Sequence, residues 1–244
     1  MDSAAAGGTT PPERADWKDA GVFVVIPAFN EGQVLDQTVR PLIEAGFSVV
    51  VVDDCSNDDT WRISERLGVN TVRQIVNLGQ GAALQTGMEF ALRNGAQIVV
   101  HFDADGQHDW RQIPNLVTPV LKGEVDVVYG SRFLRRGDAS AVPRGRRLML
   151  SVGRIVSGVF TGVFLSDTHN GFRALSRKAA AAVTLRENGF AHATEILGQI
   201  RRAQLRYMEV PTSISYTEYS LSKGQRIGNF INTFIDLVLR RIFP

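Results

Sequence analysis

The chain reads as a doubly wound α/β domain built on a mostly parallel sheet, and three observations predict it. Short β-branched runs alternate with longer amphipathic stretches over residues 22–130, the pattern of successive βαβ units. The runs VFVVIP, SVVVVD and QIVVHFD are apolar at odd and even positions alike, as strands covered on both faces must be. SVVVVD and QIVVHFD end in acids and VFVVIP leads into AFNE, which suits strands whose carboxyl ends open onto a ligand crevice.

In order, VFVVIP leads into a helix near residues 33–45, SVVVVD into one near 58–67, and TVRQIV into one at about 81–94. QIVVHFD is followed by a helix near 110–121 and by the strand VDVVYG. Asp58 and Asp59 stand where a helix begins, and carboxylates there complement its dipole. Past Arg132 the alternation stops, and a basic segment runs into LMLSVGRIVSGVFTGVFL, which has helical length. DTHNGFR is turn-like, and helices over 177–185 and 193–204 and the strand RYMEVP follow. Residues 219–244 carry Ile227, Phe230, Ile231, Phe234, Ile235, Val238 and Ile242 at spacings of three and four, an amphipathic helix with basic ends. Such a stripe either packs on the protein's own core or lies in a membrane interface.

Composition narrows the function. The 27 basic residues against 25 acidic ones leave a net charge of +2, which offers no field for nucleic acid. The charges are nevertheless segregated. Arg132, Arg135, Arg136, Arg144, Arg146, Arg147 and Arg154 crowd one segment, while acids gather at residues 53–59 and 103–109. That separation suits a metal on one wall and anionic groups on the other. The single cysteine, Cys55, has no partner within the chain, and residues 1–20 are small, polar and without an apolar run, so a structureless leader and a reducing, cytoplasmic setting are expected. No apolar stretch reaches the roughly 20 residues that cross a bilayer.

The crevice of such a fold collects residues 27–31, Asp53 and Asp54, residues 77–81, 103–107 and 130–132. Asp103, Asp105 and Gln107 alternate at the mouth of a strand, so their side chains point one way and converge on a divalent cation. A carboxylate at Asp53 or Asp54 is placed to accept hydrogen bonds from a nucleobase or ribose. NLGQGAALQTG supplies glycines before a helix, but Leu84 stands where a dinucleotide fingerprint needs its third glycine. Two readings of Gly79 and Gly81 stay open: close packing on a bound nucleotide, or simple entry into a helix. Arg132 follows a strand and two small residues, so its planar fork is placed to hold a diphosphate or to form an ion pair.

VVIPAFNE, VVVVDDCSNDDT, NLGQGAALQTG, FDADGQH, GSRF, DTHNGFRAL, ATEIL and MEVP stand in one order across nearly the whole chain. Together they resemble glycosyltransferase family 2, in its polyprenyl-phosphate mannosyl- and glucosyltransferase branch. The resemblance implies a GT-A-type domain over residues 21–218 and inverting transfer of a hexose from a UDP- or GDP-sugar to a polyprenyl phosphate at the cytoplasmic membrane face. It implies that Pro27, Glu31 and Asp53 hold the nucleoside, with Ala28, Asn30, Gly79, Gly81, Asp103 and Ala104 completing the nucleotide-sugar site. Asp103, Asp105 and Gln107 would bind Mg2+ or Mn2+, while Arg132, Arg144, Arg146 and Lys223 would meet the acceptor phosphate. Asp105 and Arg132 are then the catalytic groups, joined by Asp167 as base if the acceptor is instead a sugar hydroxyl. Two other classes share parts of the pattern. A strand ending in DADGQ is also similar to haloacid dehalogenase-type phosphatases, and a nucleotide-sugar-binding scaffold would keep the fold without turnover. A homo-oligomer through the apolar tail stays open.

Overall fold

The structure, a computed structural model, describes residues 17–134, 158, 161–168, 170–189 and 191–215. Among these, seven strands form one sheet in the order β3-β2-β1-β4-β6-β5-β7. They are β1 Val22–Ala28, β2 Ser48–Asp53, β3 Asn70–Arg73, β4 Ile98–His101, β5 Val127–Ser131, β6 Arg173–Ser176 and β7 Tyr207–Pro211. All pairings are parallel except those of β6, which runs against both β4 and β5. The carboxyl ends of six strands therefore share one rim with the amino end of β6.

Strand side chains alternate between two apolar layers, as a period of two requires. Phe23 and Val25 of β1 face α3 (Gln80–Arg93), α5 (Arg177–Ala182) and α6 (His192–Arg202). Val22, Val24 and Ile26 face α1 (Leu35–Glu44) and α4 (Ile113–Leu121), with α2 (Thr60–Arg66) at the margin. The longer helices turn stripes of apolar residues inward, such as Leu35, Val39 and Leu42 on α1 and Ile196, Leu197 and Ile200 on α6.

Several expectations need correction. The third strand ends at Arg73, and Ile75, which TVRQIV assigned to it, is 94% exposed. The helix expected from residue 110 opens with a 3-10 turn, Trp110–Gln112, and becomes α-helical at Ile113, with the Asp109 carboxylate accepting the Arg111 N–H at 3.1 Å. β6 is a strand that the sequence pattern does not announce, since only Arg173 falls within the turn expected over residues 167–173 and four residues carry too short a pattern to declare a strand. Residues 17–20, assigned to a structureless leader, form turns, and Trp17 is 7% exposed, stacked on Phe47 with ring centroids 5.5 Å apart. The amphipathic tail of residues 219–244 lies outside the described residues, as do Arg144, Arg146 and Lys223. Among the described residues no helix is long and apolar enough to cross a membrane.

Candidate active site

The rim is laced together by side chains that tie one strand's loop to the next. After β1, Asn30 takes a left-handed backbone, φ 54°, its N–H donating to Ser56 Oγ at 2.9 Å and its Oδ1 accepting the Asn57 N–H at 2.9 Å. The Glu31 N–H donates to Thr60 Oγ1 at 2.8 Å, and the Gly32 N–H to Asp58 Oδ2 at 3.0 Å. Asp58, expected as a helix-start residue, thus holds the β1 loop as well as the Thr60 N–H at 3.0 Å. Pro27 and Ala28 close β1 beside Val52 and Asp53 of β2. A non-glycine residue in the left-handed region is stable only where its surroundings over-determine it, and these bonds do so.

Asp53 and Asp54 have partners of their own. Asp53 is fully buried, with Oδ1 accepting the Ser56 N–H at 3.1 Å and Oδ2 paired with Arg73 Nε at 3.1 Å. Asp54 accepts the N–H groups of Leu78 at 2.8 Å and Gly79 at 2.7 Å. Asp54 thus faces the loop of residues 77–81 and holds its backbone, the Gly79 N–H included.

The glycines of that loop serve the protein's own packing. Gly79 has φ 97°, and a Cβ there would lie 2.5 Å from the Asn188 carbonyl oxygen. At Gly81 it would lie 2.0 Å from the Glu187 carbonyl oxygen, while the Gly81 N–H donates to the Asn188 carbonyl at 2.8 Å. The close approach that the sequence announces is therefore that of the 187–188 backbone. Glu195 of α6 holds that segment from behind, accepting the N–H groups of Arg186 and Glu187.

Between the two glycines stands Gln80, which the sequence reading overlooked and whose Nε2 donates to Asp103 Oδ1 at 3.1 Å. The other oxygen of Asp103 lies 3.0 Å from His108 Nε2, a second residue passed over although it ends the motif FDADGQH. The Asp103 side chain keeps 31% of its surface exposed, enough to face the crevice. Burial pushes its carboxyl up, but the His108 hydrogen bond and the charges of His108, Arg173 and His192 outweigh this and hold it below its usual value. Asp105 behaves oppositely. Burial and then the charge of Asp103, with a smaller push from Glu31, raise it to about 6 against the bond from the Gln107 N–H. The Asp103 charge thus bears on Asp105, and a cation between the two carboxylates would offset it.

Among the described residues no group of three carboxylate, histidine or cysteine side chains gathers at one point. A divalent cation here would have two carboxylates, the Gln107 amide and oxygens of water and substrate, a donor set that magnesium and manganese accept. The residues fit such an ion.

Across the crevice Arg132 and Asp167 form a side-on pair, Nε to Oδ2 at 2.5 Å and Nη2 to Oδ1 at 2.7 Å, and the Arg132 N–H reaches the same carboxylate at 3.1 Å. The pair is buried and so is not an ordinary surface ion pair, and the candidate base Asp167 is the partner of Arg132.

A GT-A architecture is the class that this sheet and this acidic strand end define. The fold is shared by glucosyl-3-phosphoglycerate synthase from Mycobacterium tuberculosis, crystallised with Mn2+ and uridine-diphosphate-glucose, at a TM-score of 0.67 and 23% identity over 97% of this chain and 84% of that one. Residues 23–184 match glycosyl transferase family 2, and the chain belongs to that family. It is a glycosyltransferase, which sets aside the phosphatase and scaffold readings. Its relatives include an uncharacterized protein of Methanocaldococcus jannaschii, 34% identical over 91% of this chain and 93% of that protein. They also include the UDP-N-acetylglucosamine–dolichyl-phosphate N-acetylglucosaminyltransferase of Methanococcus voltae, 27% identical over 92% and 97%, and the undecaprenyl-phosphate mannosyltransferase of Micrococcus luteus, 29% identical over 90% and 93%.

Proposed function

We propose that the protein transfers a hexose, with inversion, from a UDP- or GDP-sugar to a polyprenyl phosphate at the cytoplasmic face of a membrane. The observation that carries this reading is the juxtaposition of Asp103 and Asp105 at the end of β4, with Asp105 raised to about 6 by burial and by its neighbour. Such a pair is arranged for a cation and an anionic ligand. Bound Mg2+ or Mn2+, held by Asp103, Asp105 and Gln107, would supply charge compensation for the departing nucleoside diphosphate. The loops after β1 and β2, with Pro27, Ala28, Asn30, Glu31 and Asp53, are the proposed nucleoside side, and Ala104, between the two carboxylates in sequence, would lie against the sugar diphosphate.

The names of the relatives from Methanococcus voltae and Micrococcus luteus support a polyprenyl phosphate as acceptor. So does the state of Asp167. Both of its oxygens accept N–H groups of Arg132 in a buried pair, and taking a proton would break that pair. A phosphate acceptor is already an anion near neutral pH and needs no such base, whereas a sugar hydroxyl does. Arg132, with Arg144, Arg146 and Lys223, is the proposed acceptor-phosphate wall. Residues 219–244 would meet the membrane surface through their apolar stripe.

Transfer of labelled sugar from a panel of UDP- and GDP-hexoses to a short-chain polyprenyl phosphate, with Mn2+ or Mg2+ and with chelator, tests this. The expected result is a lipid-linked product that chelator abolishes and that Asp105→Ala reduces by about a thousandfold while the protein stays folded. Full transfer by Asp105→Ala in excess metal, or product formed only with hydroxyl acceptors, would overturn the reading.

A further inference from the structure

Glu209, on β7, turns its carboxylate into the turn that carries Asp167. Its Oε1 and Oε2 accept the Ser166 N–H at 2.8 and 2.9 Å, and Oε1 also takes the Ser166 hydroxyl at 2.7 Å and the Asp167 N–H at 3.3 Å. Ser166 Oγ lies 2.5 Å from Ser131 Oγ, which accepts the Phe133 N–H at 3.1 Å. Both sides of Arg132 are thereby fixed, Ser131 before it and Phe133 after it, while Asp167 grips its guanidinium. Two successive backbone N–H groups and a hydroxyl aimed at one carboxylate form an anion-binding turn whose ligand is a side chain of the protein itself.

The charge matters to this arrangement. A carboxylate offers about four lone-pair sites and no hydrogens, so it accepts all three donors without conflict. A glutamine has one oxygen, and its amide would set N–H groups against the N–H groups of the turn. The turn would then shift, carrying the Asp167 carboxylate and with it the Arg132 guanidinium that this carboxylate holds. Glu209 is 43 residues from Ser166 and lies on the strand at the sheet's edge, so its place follows from the pairing of β7 with β5, in which Glu209 lies beside Tyr129.

We propose that Glu209 is a positioning residue for sugar transfer, acting through the Ser166–Asp167 turn to aim Arg132 at the acceptor phosphate. This rests on the glycosyl-transfer reading above. Its test is the kinetics of Glu209→Gln against wild type in the polyprenyl phosphate assay, with melting temperatures measured on both. The expected result is a kcat lower by about tenfold to a hundredfold, as for a catalytic group displaced by about an ångström. The donor KM should change by less than about threefold, because the donor side is built from the β1 and β2 loops. Where Glu209→Gln melts too low to assay, Ser166→Ala removes only the hydroxyl bonds to Glu209 and Ser131, and a kcat loss of about threefold or more with an unchanged donor KM is expected. An active wild type whose kcat survives both substitutions, or a donor KM that rises in step with the loss of kcat, overturns the role of Glu209 alone. A wild type inactive with every donor and acceptor removes the glycosyl-transfer reading instead, and this proposal with it.

Discussion

Arg132 and Asp167, 35 residues apart, meet as a buried side-on ion pair with 7% and 2% of their surfaces exposed. Breaking such a pair by removing one charge leaves the other desolvated and unpaired, at a cost of about 3–5 kcal/mol. Asp167→Asn should therefore lower the urea midpoint strongly as well as reducing transfer. Replacing both members by apolar residues, Arg132→Met with Asp167→Leu, should restore most of the lost stability without restoring transfer. Equal stability of Asp167→Asn and wild type would show that solvent reaches the pair.

Gly81→Ala probes the approach of the 187–188 backbone. The added methyl would meet the Glu187 carbonyl oxygen at 2.0 Å and the His192 Cβ at 3.1 Å, and a main-chain atom cannot step aside as a flexible side chain can. A loss of about 3 kcal/mol is expected, at the upper end of overpacking costs. It would be read from chemical denaturation in the absence of nucleotide. A neutral substitution would mean that α3 and the segment before α6 separate easily.

That glycine illustrates what could be read from the sequence and what could not. The strands VFVVIP and SVVVVD, the helices behind them and the acidic end of β4 carry their periodicity and chemistry locally, so they were legible residue by residue. Gly81 announces that something comes close, but whether a nucleotide or the chain's own backbone does so is decided by a contact more than 100 residues away. The same holds for Glu209, whose partners lie 42 and 43 residues off, and for Arg173, which sits in a strand of only four residues. Ile75 and Val76 fit a strand pattern, yet at 94% and 56% exposure they lie beyond it, since apolar character alone does not mark where pairing stops.

The burial of Asp105, with the charge of Asp103 beside it, sets a pH dependence. A carboxyl raised to about 6 in the fold, from an ordinary value near 3.8, makes the folded state hold its proton more tightly than the unfolded state does. Asp105 therefore weakens the metal-free protein above pH 6, and that penalty fades as the pH falls towards 4. In Asp105→Asn the penalty is absent, so at pH 7.5 the metal-free variant should be more stable than wild type by on the order of 2 kcal/mol, with the two converging near pH 4. Mn2+ should raise the melting temperature of wild type more than that of the variant, because only wild type offers both carboxylates. A variant less stable than wild type at pH 7.5 without metal would show that the Asp105 carboxylate has a favourable partner.

His101, Arg173 and Tyr129 lie side by side across β4, β6 and β5, paired in register, and both His101 nitrogens, Arg173 Nη1 and the Tyr129 hydroxyl are buried without a hydrogen-bond partner among the described residues. The Arg173 guanidinium carbon sits 5.8 Å from the centre of the Tyr129 ring. Burial first, then the charges of Arg173 and His192, hold His101 well below its ordinary value, so it is neutral in the fold. A histidine depressed in this way costs stability as the pH drops through the unfolded value near 6.5, by up to about 1.4 kcal/mol per pH unit, because the unfolded chain takes up the proton that the fold refuses. Replacing it by leucine removes both the proton linkage and two unpartnered nitrogens, and exchanging an unpaired buried polar group for an apolar one of similar shape is neutral or stabilising. His101→Leu should thus match or exceed wild type in urea midpoint at pH 8 and gain on it steadily between pH 6.5 and 5. Parallel stability curves for the two proteins over that range would mean that His101 takes up its proton inside the fold.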